Sequence, residues 1–147
     1  MAARRSEADP VDPGESLVRR VWCDRFRTDK TPIVSPNAFE PRKTGRAPDS
    51  DGISLHRLDC LETPLDALAT IDEEKRSKYA LVKIPLSVIT GLGLTVQPAP
   101  DERIPGHVVI PELSVSNYFG NEAKFVPIKL ALALEASKDE NIVIRPH

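Results

Sequence analysis

The sequence predicts a small α+β domain with a mixed or mainly antiparallel sheet of five to six short strands. Its 147 residues suffice for one hydrophobic core. Apolar residues make up 40% of the chain and aromatic residues only 5%, so an aliphatic core is expected. Short β-branched runs alternate with Pro- and Gly-containing turns, and two longer segments carry helix signals. The few large core residues are expected to be Trp22, Phe26, Phe39, Phe119 and Phe125.

The first 16 residues differ in composition from the rest of the chain. The segment MAARRSEADPVDPGES contains two prolines and a glycine among many charged residues. So little apolar surface cannot offset the conformational entropy that ordering would remove. We therefore expect a flexible N-terminal arm over residues 1–16, followed by a single α+β domain over residues 17–147.

Six segments have the β-branched or alternating character of strands. The clearest are LVRRVW, ISLHRL and YALVKI. Because successive side chains of a strand point to opposite faces, the adjacent Arg19 and Arg20 place one arginine on each face of the first strand. The predicted strands cover residues 17–22, 53–58, 79–84, 94–97, 107–110 and 141–145.

Two main helices are predicted, at about residues 64–77 and 127–137. Thr63 is a suitable N-cap for the first, Pro64 suits a first helical turn, and Asp66 follows near the positive end of the helix dipole. The apolar residues of the second segment fit both strand and helix periods, but its Ala, Leu, Lys and Glu content favours a helix. A single helical turn is expected at residues 87–90.

Residues 26–51 are predicted to form a long irregular loop. Four prolines interrupt this segment, and the stretch PRKTGRAPDSDG is typical of an exposed loop. Loops of this length in a compact domain are usually functional or disordered. Residues 35–39, with the sequence SPNAF, are therefore expected to form a lid or a pocket wall.

Charge and composition argue against several functional classes. With 20 basic and 22 acidic side chains the net charge is −2, which gives no long-range attraction to nucleic acid. No stretch approaches the roughly eighteen apolar residues that span a bilayer, and no apolar signal segment follows the N-terminus. We therefore expect a soluble, cytoplasmic protein that binds no membrane and whose Cys23 and Cys60 are reduced.

Familiar catalytic motifs are absent from the sequence. GxSxG, GxxxxGK[ST], HExxH and paired CxxC do not occur. The lone Gly91-Leu92-Gly93 lacks the third glycine of a dinucleotide fingerprint and is better explained as a turn. The common hydrolase, kinase and metal-site classes are excluded on this basis, and no metal site and no cofactor are predicted.

Arg19 and Arg20 are the first candidates for a binding site. A strand interior is an unusual place for two guanidinium groups, whose fixed forks suit phosphate or carboxylate. The alternative is a structural ion pair with a carboxylate of the same chain. His56, on a neighbouring predicted strand, is the third candidate ligand-binding residue.

Three further residues are candidates for catalysis: Ser54, His107 and Glu112. His107 lies where a glycine turn enters a strand, and its imidazole can titrate near neutral pH. Ser54 shares a strand face with His56, and Glu112 follows a later strand, so a serine, a histidine and a glutamate could meet. The alternative for the histidines is an exposed or core-bonded ring.

The order of these residues resembles that of a known group of folds. An arginine on the first strand, a serine within GISLHR and a glutamate within IPELS resemble the layout of ADP-ribosyltransferase-like folds, which bind NAD. The resemblance implies that Arg19 or Arg20 holds a phosphate of NAD, that Ser54 supports the site, and that Glu112 orients the ribose. The STS triplet and the ExE or QxE motif of those folds are absent.

Two functional classes stay open on the sequence alone. The segments LVRR, NAF, GISLHR and PGHVVI together resemble a family of small uncharacterised bacterial proteins. With no catalytic motif and much irregular chain, the leading expectation is a non-catalytic module that binds another protein as an accessory of a bacterial system. The alternative is a small nucleotide- or NAD-binding enzyme that uses the strand arginines and a Ser/His/Glu cleft.

Overall fold

A six-stranded antiparallel sheet forms the centre of the fold, as the α+β prediction requires. The computed structural model describes residues 7–27, 33–44, 49–101 and 103–146. The strands are β1 (Ser16–Trp22), β2 (Phe26–Arg27), β3 (Ile33–Val34), β4 (Ile53–Arg57), β5 (Tyr79–Pro85), β6 (Gln97–Pro98), β7 (His107–Ile110) and β8 (Ile142–Ile144). The helices are α1 (Glu73–Arg76), α2 (Leu86–Gly91), α3 (Val115–Tyr118) and α4 (Glu122–Ala136). The strand order of the main sheet is β6-β7-β4-β1-β5-β8, while β2 and β3 form a separate ribbon.

Strand β1 is paired very differently with its two neighbours. It pairs with β5 along its whole length, from Ser16 to Trp22. Its ladder with β4 contains only two pairs, Leu17 with Arg57 and Val18 with His56. The next two residues of β1 are the arginines, so they lie where the pairing with β4 has ended.

The two faces of the sheet are covered by different elements. One face carries the larger core cluster, which includes Leu17, Leu55 and Val82 and packs against α2 and α4. The other carries a smaller cluster around Val18 and Leu81, covered by the irregular segment 58–71 and by Ile104. Of the predicted aromatic core residues, the phenylalanines at 26, 39 and 125 are buried, whereas Trp22 and Phe119 are half-buried.

Most of the predicted strands are confirmed in place, but the one at residues 94–97 is wrong. The only strand there is β6, of two residues. The Leu94 N–H donates to the Ile89 carbonyl, and the Thr95 N–H donates to the Glu112 carboxylate. The backbone of this segment is therefore committed to a helix end and a side chain.

The predicted helix at residues 64–77 is also wrong. Its start is a 3₁₀ turn over Pro64–Leu68, with the Asp66 carboxylate accepting the Thr63 N–H. The carbonyls of Ala69 and Ile71, which a continuous helix would use internally, accept hydrogen bonds from the Arg76 guanidinium. Only the four residues of α1 form an α-helix in the second half of the segment.

The second predicted helix is confirmed, with an earlier start. Helix α4 begins at Glu122, so Pro127 lies inside the helix rather than at its first turn. The Glu122 carboxylate accepts the Gly120 N–H just before the helix. The predicted turn at residues 87–90 lies within α2.

The N-terminal segment contacts a buried arginine of β4. Residues 1–6 of the predicted arm lie outside the described residues. Beyond them, the Arg57 side chain, which is fully buried, binds the Glu15 carboxylate with two nitrogens at 2.9 and 2.7 Å. It also donates to the Asp9 carbonyl at 2.6 Å. Whether this segment is flexible stays a prediction, but its contact with Arg57 was not expected.

The predicted irregular loop over residues 26–51 contains more structure than expected. Its described part holds the β2–β3 ribbon and a 3₁₀ turn at Pro36–Phe39. Residues 28–32 and 45–48 of the loop lie outside the described residues. No helix in the described part of the chain is long and apolar enough to cross a membrane.

Candidate ligand-binding cleft

A cleft of about 610 Å³ opens on the face of the sheet opposite α4. His56 pairs with Val18 of β1 and with His107 of β7, and paired residues point to the same face. Ser54 lies two residues before His56 in β4, and Arg20 lies two residues after Val18 in β1, so both share that face. Four of the six predicted site residues therefore form the floor of one cleft, and Arg19 joins them. The lining also includes Arg25, Asn37, Ala38, Glu40, Arg42, Asp49, Thr70, Tyr79, Asp101, Arg103 and Ile104.

Arg19 connects the cleft wall to the sheet. Its Nε donates to the Ala38 carbonyl at 2.7 Å, and its Nη1 donates to the Ser54 carbonyl at 2.7 Å. The guanidinium carbon lies 5.9 Å from the centre of the Phe39 ring. Loss of water on burial lowers the pKa of Arg19 to about 10, with a partial opposing effect from Asp49. Residues 37 and 38 line the cleft, so the segment predicted as a lid or wall forms a wall.

Arg20 follows Arg19 in β1, and its guanidinium has fewer hydrogen-bond partners among the described residues. Its Nη1 donates to the Thr70 hydroxyl at 3.0 Å. Burial lowers its pKa, and the positive charges of Arg42 and Arg103 act in the same direction. Among the described residues neither strand arginine forms an ion pair with a carboxylate, so the structural ion pair proposed as the alternative is not formed there.

The carboxylates that line the cleft are engaged by other groups. Asp49 accepts the Arg42 N–H at 2.6 Å. Asp101 pairs with Arg103 at 3.0 Å, and the hydrogen bonds from Arg103 lower the pKa of Asp101 to about 2. The third, Glu40, binds a lysine of α4. Five arginines against three carboxylates leave the described lining positively charged.

A buried lysine fixes the wall next to Arg19. The Lys129 ammonium of α4 binds Glu40 Oε1 at 2.7 Å and the Tyr118 hydroxyl at 2.8 Å. The Tyr118 hydroxyl also donates to Glu40 at 3.2 Å. This contact was not predicted from the sequence. A signal was available, because a lysine in the apolar run IKLALAL is expected to need a buried partner.

Ser54 and His107 form a hydrogen-bonded pair in the cleft. His107 Nδ1 lies 2.7 Å from the Ala99 carbonyl oxygen, and His107 Nε2 lies 2.9 Å from Ser54 Oγ. A carbonyl oxygen can only accept, so Nδ1 carries the proton and donates it. In the neutral ring Nε2 is then the acceptor, and the Ser54 hydroxyl donates to it. This geometry matches the serine and histidine of a nucleophilic pair, with a backbone carbonyl in the orienting role.

His56 is held as a neutral ring next to this pair. It is only 5% exposed, and its ring centre lies 5.4 Å from that of His107. Burial, followed by the neighbouring His107, lowers the pKa of His56 to about 3. No described residue hydrogen bonds to the His56 ring, so its polar atoms are available to a ligand in the cleft.

The structure does not bring Glu112 into the cleft. Its two carboxylate oxygens accept hydrogen bonds from the N–H and the hydroxyl of Thr95, at 2.9 and 2.8 Å. Glu112 is not among the residues that line the cleft. The arrangement of Ser54, a histidine and Glu112 that the sequence allowed is therefore not assembled.

Several residues at the rim and in the wall of the cleft were not predicted from the sequence either. Arg25, Arg42 and Arg103 are exposed and lie on irregular segments, where single arginines give no periodic signal. Trp22 and Tyr79 line the cleft as an edge-to-face pair with ring centres 5.0 Å apart. Their proximity follows from the register of β1 with β5, which the sequence does not specify.

Comparisons with known proteins add no relative. No protein-family model matches the chain, and no curated protein and no solved structure is significantly similar to it. The described residues contain no cluster of three or more His, Cys, Asp or Glu side chains suited to a metal ion. Cys23 and Cys60 form no disulfide.

Proposed function

We propose that the cleft binds a phosphate-bearing small molecule of the nucleotide class. The observation that supports this most strongly is that two arginines line the cleft together, Arg20 on its floor and Arg19 where the wall meets the sheet. Both are partly desolvated, and neither has a carboxylate partner among the described residues. An anionic ligand would supply the missing opposite charge, and guanidinium forks bind phosphate oxygens in pairs.

The size and lining of the cleft support a small molecule. A volume of about 610 Å³ lies within the roughly 300–1,000 Å³ typical of small-ligand sites. Trp22 and Tyr79 offer aromatic surface on one side of the cleft, and exposed arginines lie at its rim. This combination suits a ligand with charged phosphates and a flat ring system.

NAD belongs among the ligands to be tested. The order of arginine and serine along the strands resembles that of ADP-ribosyltransferase-like folds, and Arg19, Arg20 and Ser54 line one cleft. Glu112, which that resemblance assigns to the ribose, lies elsewhere. NAD is therefore one probe among several nucleotides rather than the favoured ligand.

Binding can be measured through the single tryptophan of the chain. Because Trp22 lines the cleft, its fluorescence should change in a saturable way when ligand binds. The probes are ATP, ADP, AMP, NAD, pyrophosphate and inorganic phosphate. Arg20→Ala should weaken the response at least tenfold, because removal of one charged contact of this kind costs roughly 1.5–3 kcal/mol.

The matched control for this experiment is Arg145→Ala. Arg145 is an arginine outside the cleft that pairs with Asp139 at the surface, so its removal should leave the response unchanged. Thermal shift with the same compounds gives a second readout, since a ligand that binds only the folded state raises the melting temperature. The absence of a saturable response to every probe would contradict the proposal.

A second candidate function is enzymatic reaction of the same ligand, favoured by the Ser54–His107 hydrogen bond. In that step Ser54 Oγ would form a bond to phosphorus while the bond from phosphorus to the leaving phosphate oxygen breaks. The hydroxyl proton would pass to His107 Nε2 and from there to the leaving phosphate oxygen, which regenerates the neutral ring. His107 Nε2 would then take a proton from water as the water oxygen attacks phosphorus, and would return that proton to Ser54 Oγ as the phosphoserine bond breaks.

Intact-mass spectrometry and product analysis test this second function separately from binding. Ser54→Ala and His107→Gln should abolish turnover of the bound nucleotide while the Trp22 response persists. Ser87→Ala, at an exposed serine of α2, is the control. Unchanged turnover in Ser54→Ala would contradict this chemistry, and so would a wild-type protein that binds nucleotide without turning it over. In either case the binding proposal would stand alone.

A further inference from the structure

Helix α4 presents an apolar face to solvent. Its inward side packs in the core through Phe125, Leu132 and other residues. Its outward side exposes Val126, Leu130 and Leu134, which are 57%, 49% and 64% exposed. Three of the five exposed large hydrophobic residues in the described part of the chain therefore lie on one helix face.

Helix formation alone does not explain this face. A surface helix normally carries charged or polar residues on its solvent side, and an all-round apolar helix is normally buried. Valine is also a weaker helix former than lysine or glutamate. Ala123, Pro127 and Ala131 complete the outward face, so charged side chains lie at its margins and ends but not along its centre.

The residues along this face are arranged symmetrically about Leu130. At intervals of four they are Glu122, Val126, Leu130, Leu134 and Lys138, the last being two residues beyond the end of α4. An acidic residue begins the series, a basic residue ends it, and apolar residues lie between. Within one chain Lys138 pairs with Glu135 at 2.9 Å and Glu122 accepts the Gly120 N–H, and both are exposed, so a second copy can share these charges. Reversing the direction of the helix places the acidic end opposite the basic end.

We propose that the protein forms a homodimer in which the α4 helices of two copies pack antiparallel about a two-fold axis at Leu130. Val126 of each copy then lies against Leu134 of the other, and the two Leu130 side chains meet at the axis. Glu122 of each copy lies near Lys138 of the other. Interfaces of this kind, which use the same patch on both copies, are the commonest in soluble oligomers.

The neighbouring side chains permit a close approach of the two helices. Ala123, Pro127 and Ala131 are small or compact, which suits helix axes about 8–10 Å apart. Antiparallel helices also bring opposite ends of their dipoles together. A 15-residue helix is about 22 Å long, so a pair buries roughly 1,000 Å², near the low end of specific interfaces. Interfaces of this size are typical of weak or transient complexes, so the test must cover a wide range of protein concentration.

This interface leaves the ligand-binding cleft open. The cleft floor lies on the face of the sheet opposite α4, as the positions of Ser54 and His56 show. Dimerisation should therefore leave the Trp22 response to nucleotides unchanged. The dimer and the proposed ligand can each be right or wrong without the other.

Sedimentation velocity of the full chain from about 1 to 300 μM tests the proposal. Wild-type protein should shift from monomer to dimer across this range, whereas Leu130→Glu should remain monomeric because it places two carboxylates together at the axis. Leu65→Glu is the matched control, since Leu65 is 58% exposed on a different surface, and it should dimerise like wild type. A wild-type chain that is monomeric throughout overturns the proposal, as does a Leu130→Glu dimer of wild-type strength.

Two further variants keep the test decisive if Leu130→Glu fails to fold. Leu130→Cys should give a covalent dimer under mild oxidation, because the two positions meet at the axis. Leu65→Cys should not, and wild type with Cys23 and Cys60 is the blank. Glu122→Lys and Lys138→Glu should each weaken the dimer, and their combination should restore it. No cross-link at position 130, or no restoration in the combination, contradicts the antiparallel arrangement.

Discussion

Two arginines on neighbouring strands differ in whether a carboxylate balances their charge. Arg57 of β4 is fully buried, and its guanidinium is bound by the Glu15 carboxylate and by backbone carbonyls of the N-terminal segment. Its hydrogen bond with Glu15 raises its pKa. Arg19 of β1 has two carbonyl partners, and burial lowers its pKa. The charge of Arg57 is neutralised within the chain, whereas no described carboxylate pairs with Arg19.

Under the proposed function, this difference separates a structural arginine, Arg57, from a ligand-binding one, Arg19. Removing one partner of a buried ion pair leaves an uncompensated charge, which strongly destabilises the fold. A partly desolvated charge without an opposite charge costs stability, and such groups are typical of binding sites. The variants below test this distinction, from the largest expected effect to the smallest.

The largest effect is expected from Arg57→Ala. The substitution leaves the Glu15 carboxylate buried without its cation, which should reduce the free energy of unfolding by about 3–5 kcal/mol. Urea unfolding followed by circular dichroism measures this change. Combining Glu15→Leu with Arg57→Met should recover part of the loss. A reduction below 1 kcal/mol for Arg57→Ala would show that the pair is not structural.

The next largest effect is the pH dependence due to His56. The folded-state pKa of about 3 lies below the unfolded value, so the unfolded chain binds more protons between pH 3 and about 6.5. Stability should therefore fall as pH falls through this window, by up to about 1.4 kcal/mol per pH unit and about 2 kcal/mol at pH 5. The charged and titratable groups that act on the ring are His107, Arg20, Asp101 and Arg103.

His56→Gln isolates this contribution from that of the carboxylates. The variant lacks the titrating ring, so its unfolding free energy should fall less steeply than that of wild type between pH 7 and pH 4. Urea titrations at each pH unit provide both curves. Parallel curves for the two proteins would contradict the buried neutral state of His56.

A much smaller effect on stability is expected from Arg20→Met. Methionine retains much of the packing of the arginine stem and removes a charge that burial disfavours. The free energy of unfolding should change by less than about 1 kcal/mol, while the response of Trp22 to nucleotides is lost. A destabilisation as large as that of Arg57→Ala would make Arg20 a structural residue as well.

The smallest effect is expected from Glu112→Gln. Glu112 holds only the Thr95 backbone and hydroxyl at the surface, so the loss should be about 0.5 kcal/mol. Nucleotide binding should be unchanged, because the residue does not line the cleft. Weaker binding in this variant would return Glu112 to the list of site residues.

Local patterns in the sequence predicted most elements of this fold but fewer of its contacts. The strands around YALVKI and HVVI, and the helix at LALALEA, have strong local signals that tertiary packing reinforces. The prediction of a helix at residues 64–77 was wrong because the Arg76 guanidinium donates hydrogen bonds to the backbone carbonyls of Ala69 and Ile71. Helix propensities do not encode such a contact.

The candidate site could be predicted only in part. Arg19, Arg20, Ser54, His56 and His107 were identifiable because polar residues inside strands are unusual. Their assembly in one cleft depends on strand order and register, which short antiparallel strands do not specify in their sequence. Glu112 was misplaced for the same reason, because its position after β7 gave no information on which side it would point.

The N-terminal segment also links Arg57 to the cleft residue His107 through Gly106. The Glu7 carboxylate accepts the Gly106 N–H at 2.7 Å, and the Gly106 carbonyl accepts the Arg57 N–H at 2.8 Å. Gly106 has a φ of +81°, and a Cβ there would lie 2.7 Å from the Cβ of Cys60. The residue that follows is His107 of the cleft. A protein shortened to begin at Ser16 would therefore lose both the partner of Arg57 and a support of His107, and purification tags belong at the C-terminus when the cleft is studied.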